Sequence, residues 1–397
     1  MDTHSNLPGM LRGRRIAIFL GNGGVGKTTV AATMAVLSAL EGRHVLALTV
    51  DPSNRLKTAL GLTGRPGIEE SVSLAAFSDK PTGTLHAMIL DAATELDRLV
   101  HRCIPSDEAR RRITQNVFYR EAASKLAGTH EYLAMERVLE CVECGQYDLV
   151  ILDTPPDRHA LDFLDAPGRL QDLLSSDAFR IFVAASKGVS RVGIRAVRFQ
   201  SLMLRGLGRF AGEEAFLSVL DFLLSLSPLF EDFRERAGRV RALLGSDACG
   251  TFLVCRPERG TASDVQSSIA ALSERGVRVS AVVANNVRIW PPPPCPCVPH
   301  DETAYPLDAA AMKDALLSDP SLSLVDPASL RVLAGRVLTL AADYRNQAAE
   351  DDGHVRRLWE TIAPTPIFPL PQLVEEICDP AGLARFASVM TRRTALA

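Results

Sequence analysis

The sequence predicts an α/β chain, a doubly wound and mostly parallel sheet carrying an α-helical insertion. Three observations predict it. Short apolar runs of strand length alternate with helix-length stretches, the pattern of consecutive βαβ units. The first run leads straight into a glycine-rich loop and a helix. Two long stretches, 91–145 and 160–245, read as helix without strand signals.

The run Ile16–Leu20 is apolar throughout and reads as a buried parallel strand. It breaks at Gly21, and GNGGVGKTT at 21–29 opens a helix over 27–41, with Val30, Met34, Leu37 and Leu40 at helical spacing and Gly42 at its end. The spacing Gly21-x4-Gly26-Lys27-Thr28 is that of a phosphate-binding loop. Glycines let backbone N–H groups turn inward around a polyphosphate, and the helix start adds its positive dipole end. In such a loop Lys27 reaches the β- and γ-phosphates and the Thr28 hydroxyl binds Mg²⁺.

The next run, His44–Val50, is a second buried strand and ends in Asp51-Pro52. A carboxylate at the C-terminal end of a strand stands where such sheets bind their ligands. Residues 60–83 are rich in Gly, Pro and Ser and read as a loop, and Leu85–Leu90 reads as a third strand. Asp148–Leu152 is another apolar strand, followed by Asp153-Thr154-Pro155-Pro156, a second acidic strand end suited to Mg²⁺.

Within 160–245 the residues Phe216, Leu217, Val219, Leu220, Phe222, Leu223 and Leu224 fall on more than one helix face. A helix apolar all round is either core or the wall of a groove for a hydrophobic partner helix. The nearby basic stretch, Lys187 to Arg209, is either a solvated face or a contact for an acidic partner or membrane surface. Strands resume at Thr251–Cys255 and Val279–Ala284, the latter ending in Asn285-Asn286, an amide pair able to read a base edge. The loop over 288–304 holds PPPPCPCVPH, too proline-rich for regular structure. Its Cys295 and Cys297, with His300, either ligate zinc, shared between two chains because one supplies too few ligands, or are plain loop residues. Helices are expected over 305–349 and 350–360, a last strand at Thr365–Leu370, and a last helix at about 380–392.

Composition limits what the chain can be. Its 397 residues are 47% hydrophobic, enough for one large α/β domain with a sizeable core. A net charge of −3 offers no electrostatic case for nucleic acid. No run of 18 apolar residues exists and the N-terminal stretch lacks an apolar signal core, so a cytoplasmic location is expected. The eight cysteines are then reduced.

Four stretches together carry a family resemblance. GNGGVGKTT resembles the deviant phosphate loop GKGGVGKTT of the ArsA-type ATPases, P-loop NTPases that include the arsenite-pump ATPase and the tail-anchored-protein-targeting ATPase. VDPSNRL at 50–56 is similar to the family's first switch, DTPPDRHALDFLDAP at 153–167 to its second, in the version of the bacterial ArsA-like proteins, and VVANNV at 282–287 to its adenine-contact strand. LAGTHEYLAMERV at 126–138 and the helical insertion are also family-like, so the resemblance covers nearly the whole chain. It implies one ATPase domain over 1–397 with the insertion formed by 91–145 and 160–245.

It also implies roles. Gly23, Gly24, Val25, Gly26, Lys27, Thr28 and Thr29 hold ATP or ADP, Asp51 orients or activates the attacking water, and Thr28 and Asp153 hold Mg²⁺. Asn285 binds adenine, with Pro369 and Leu370 near the base. The targeting ATPases carry a paired-cysteine zinc site at the place of Cys295 and Cys297, spaced CxxC there and CxC here. The family's loop has Lys where this chain has Asn22, and that Lys reaches across a dimer to the partner's phosphates. Groups of that kind are worth roughly 10³–10⁵ in rate. Asn22 brings no charge, so the resemblance implies either slow hydrolysis by a homodimer or a heterodimer with a Lys-bearing paralogue. Arg55, within the first switch, is a cation able to take part of that role. Three functions follow: a dimeric ATPase holding a hydrophobic client, an ATP-binding subunit that hardly turns over, and an arsenite-pump subunit.

Overall fold

The computed structural model describes residues 6–51, 55–104, 106–115, 119, 129–155, 164–166, 168, 172, 229–290, 314, 316–319, 322, 326–373, 376–377 and 379–391. Its strands are β1 (Ile16–Leu20), β2 (His44–Thr49), β3 (Glu70–Val72), β4 (Thr84–Ile89), β5 (Leu149–Asp153), β6 (Cys249–Cys255), β7 (Val279–Val287) and β8 (Ile367–Pro371). They form one sheet in the order β3-β4-β2-β5-β1-β6-β7-β8. Every pairing is parallel except β3 with β4.

Both faces of the sheet are covered, which is why its strands read as unbroken apolar runs. Alternation along β1 sorts the core into two layers. Ala17 and Phe19 point to one layer and Ile16, Ile18 and Leu20 to the other. The first layer is closed by α1 (Lys27–Leu40) and by the last described helix, Pro380–Thr391. In that layer Phe19 and its register partner Phe252 stack with ring centroids 5.0 Å apart. The second layer is closed by helices Thr129–Cys144, Leu229–Leu244, Thr261–Glu274 and Pro327–Ile362.

Two sequence readings are corrected. The stretch 60–83 is not all loop, because Glu70–Val72 adds an antiparallel edge strand. Three residues, two of them polar, carry no strand periodicity, so that element was not visible in the sequence. Residues 327–360 are one continuous helix, Pro327–Ile362, where two were expected. Asp326 caps it by accepting from the N–H groups of Ala328 and Ser329, and Pro327 supplies the first helical φ. Ahead of β1, the turn Pro8–Leu11 seals the core with Leu7 and Leu11.

The helices expected in the insertion include Ala92–Cys103, Asp107–Thr114, Thr129–Cys144 and Leu229–Leu244. The first, third and fourth pack through a small cluster of Leu99, Tyr132, Leu133 and Ala237, and Asp107–Thr114 packs through Ile113 against Val100 and Ile104. The buried Glu136 carboxylate accepts from Arg102 and Arg236, tying three of these helices together. The apolar segment 216–224, the basic stretch 187–209 and the loop with Cys295, Cys297 and His300 lie outside the described residues. Among the described residues no helix is long and apolar enough to cross a membrane.

Candidate functional site

β1 delivers the chain to the C-terminal edge of the sheet, where the loop 21–26 turns it into α1. Two glycines there take the left-handed region, Gly24 at φ +78° and Gly26 at φ +86°. Gly21 and Gly26 are also needed for space. A Cβ on Gly21 would collide with the Val254 carbonyl, and one on Gly26 with the Asn285 amide. Gly26 serves as N-cap of α1 and gives it no side-chain cap, and a helix start of this kind leaves backbone N–H groups for a ligand.

Lys27 and Thr28 open α1 and are buried. The Lys27 ammonium donates to the Pro155 carbonyl at 2.8 Å and to the Gly21 carbonyl at 3.3 Å. Beside it β5 is flanked by β1 and β2, with Phe19 and Thr49 as the register partners of Asp153. That register assembles the acidic part of the site. The Thr49 hydroxyl donates to Asp153 Oδ2 at 3.1 Å, and the Asp51 N–H donates to Thr49 Oγ1 at 3.2 Å. The Thr154 hydroxyl donates to the Phe19 carbonyl at 2.8 Å, pinning the turn after β5 to β1. Asp51 and Asp153, about 100 residues apart in sequence, thus meet through one threonine.

Asp153 is 1% exposed. Burial pushes its carboxyl up to about 6, against the attraction of Lys27 and the hydroxyls of Thr28 and Thr49. Its Oδ1 has no hydrogen-bond partner. A buried carboxylate oxygen left open beside a threonine hydroxyl is a donor set of hard oxygens, suited to Mg²⁺.

The other wall comes from β7. Ala284 pairs with Pro369 and Val287 with Pro371, so Asn285 and Asn286 oppose the single residue Leu370. This bulge takes Asn285 out of the ladder, and its amide reaches the loop. Asn286 takes φ +62°, a conformation asparagine tolerates. Asn285 donates from Nδ2 to the Val25 carbonyl at 2.8 Å, bracing the glycine loop.

Between these walls lies a cleft of about 720 Å³. Gly24, Gly26, Thr28, Thr29, Asn285 and Asn286 line one part of it. The rest is formed by Arg55, Thr58 and Ala59 of α2 (Arg55–Leu60) and by Pro371, Leu373, Glu376, Ile377 and Phe386. Lys27, Asp51 and Asp153 are buried and are not part of this lining, and Gly23 is exposed. Pro369 and Leu370 do not line the cleft. Leu370 is fully buried in the core, and the cleft begins one residue later at Pro371. The apolar group of Pro371, Leu373, Ile377 and Phe386 escaped sequence reading. The usable signal was its position just beyond a strand end beside the glycine loop.

Comparisons with known proteins identify the family. Residues 14–298 match the family model of the anion-transporting ATPases, which is most of the chain. An ATPase GET3 of Malassezia globosa is 27% identical over 279 residues, covering 70% of this chain and 73% of that protein. An ATPase ASNA1 homolog of Paramecium tetraurelia is 23% identical over 279 residues, covering 69% and 75%. The match begins two residues before β1 and takes in the glycine loop, both acidic strand ends and the bulged amide strand. The chain belongs to the anion-transporting ATPase family and is an ATPase that uses ATP, ADP and Mg²⁺.

Proposed function

We propose that this ATPase works as a nucleotide-switched dimer whose helical insertion holds a hydrophobic client. The observation that carries the reading is the Asp51–Thr49–Asp153 link at two neighbouring strand ends, directly beside the glycine loop. Each acid begins a stretch similar to a switch, and the second stretch continues toward the insertion. Presence or loss of the terminal phosphate is thereby coupled to the helices.

In this reading the loop residues Gly23 to Gly26, with Lys27, Thr28 and Thr29, hold the phosphates. Asn285 faces the adenine, and Pro371 and Leu373 give it an apolar wall. Thr28 and Asp153 would hold Mg²⁺, which neutralises phosphate charge when bound. Asp51 orients the attacking water. Positioning and charge neutralisation supply most of the rate in such a transfer.

Asn22 favours a second reading, an ATP-binding subunit that waits for a partner's lysine. It stands exposed on the loop and offers no charge. The test is turnover by the purified chain beside Asn22→Lys, with sedimentation in ATP and in ADP. A homodimer in ATP whose turnover rises tenfold or more on Asn22→Lys is the expected result. A chain that stays monomeric in ATP contradicts the dimeric switch. Equal turnover by the two proteins contradicts a site that lacks a lysine. The arsenite-pump reading calls for clustered thiols. Among the described residues no group of three His, Cys, Asp or Glu is placed to hold a metal ion.

A further inference from the structure

Building on the nucleotide reading of the cleft, we propose that Arg55 is the cation that meets the polyphosphate within its own subunit. Arg55 opens α2 and lines the cleft together with Gly24, Gly26, Thr28 and Thr29. Of the described residues lining the cleft, only Arg55 and Glu376 are charged, so Arg55 is the one cation of that lining.

The state of its side chain supports the same role. Arg55 is exposed, and no hydrogen bond or ion pair joins it to another described residue. This is unusual in a chain whose other cleft-side cations are committed. Lys27 spends two of its donors on the carbonyls of Gly21 and Pro155. Arg288, on the far side of the bulge, is held in a fork by Asp351. A guanidinium with no partner among the described residues, lining the cleft with the glycine loop, has five donors in a planar fork that matches phosphate oxygens.

Its tether adds to the case. Arg55 lies four residues after Asp51, on the segment that follows the strand end carrying that acid. Contact between Arg55 and the phosphates would therefore fix the segment that positions Asp51. Arg55 would act both as a phosphate ligand and as a sensor of phosphate number, within one chain and without a partner's loop.

The test is displacement of a fluorescent ATP analogue by ATP, ADP and AMP from the full chain and from Arg55→Ala, Arg55→Lys and Lys27→Ala. Arg55→Ala is expected to weaken ATP at least tenfold and AMP no more than twofold, with an unchanged melting temperature. Arg55→Lys recovers part of the ATP affinity, because it keeps the charge and loses the fork. Equal losses for ATP and AMP, or no loss for either, overturn the proposal. Lys27→Ala separates this from the broader reading. If it fails to bind ATP while Arg55→Ala binds normally, only the role of Arg55 falls. If Lys27→Ala binds ATP as the parent does, the nucleotide reading of the cleft falls with it.

Discussion

Replacing Asp153 by asparagine is expected to stabilise the nucleotide-free protein at neutral pH while removing its Mg²⁺-dependent turnover. The two effects share one cause. Asp153 is buried at the end of β5, and burial raises its carboxyl from 3.8 to about 6. The folded chain therefore holds that proton more tightly than the unfolded chain does. Between about pH 4 and pH 6 the folded state binds more protons, so stability falls as pH rises through this window, and the full penalty stands above it. Two pKa units at roughly 1.4 kcal/mol each put the penalty at about 3 kcal/mol. The attraction of Lys27 is already included, because it acts on the same charged form. Asparagine carries no charge at any pH and keeps an acceptor for the Thr49 hydroxyl. Urea denaturation should thus show Asp153→Asn more stable by about 2–3 kcal/mol at pH 7.5 and indistinguishable from the parent near pH 4. Phosphate release should fall by roughly 10² or more, the scale of removing a preorganised electrostatic group. A variant less stable than the parent at pH 7.5 would contradict this assignment.

The second large effect is expected at Lys27. Its ammonium stands at the first residue of α1, under the glycine loop, held by two backbone carbonyls. Lys27→Ala removes a positive charge from the place where phosphate charge accumulates. Turnover should fall by about 10³, and stability should fall by about 2–3 kcal/mol, because charge-assisted hydrogen bonds to two carbonyls and the attraction that offsets burial of Asp153 are lost together. Lys27→Arg should not restore activity. The side chain is 5% exposed, and a planar guanidinium does not fit where a single ammonium reaches both Gly21 and Pro155. Steady-state phosphate release by the three proteins, with denaturation curves, checks both halves of this expectation.

Much of this arrangement was legible in the residues themselves. IAIFL, HVLALT and LVILD are covered on both faces, so their apolar runs announced parallel strands whatever their neighbours. The glycine loop was legible because its chemistry is local, with every needed residue within nine positions of sequence. Asp51 and Asp153 were legible as strand ends, though not their link through Thr49, which depends on the β2–β5 register. Which residue of β8 lines the cleft has a physical reason. The bulge at Asn285–Asn286 sets two residues of β7 against Leu370 alone, so Leu370 stays in the core and Pro371 takes the cleft. No periodicity within PTPIFPLP reveals where a neighbouring strand will bulge. β3 was missed because Glu70 and Ser71 look like loop, and Glu70 does serve the preceding loop by accepting from the N–H groups of Thr63 and Gly64.

The most direct measurement is phosphate release from Mg·ATP by the full chain beside Asp51→Asn, with ATP affinity measured for both. Asp51 follows β2, is buried, and is tied through Thr49 to Asp153. If it orients the attacking water, Asp51→Asn will bind ATP within about threefold of the parent and lose turnover by roughly 10² or more. Undiminished turnover by Asp51→Asn would contradict that role and move the search for the water-positioning group elsewhere on the cleft wall.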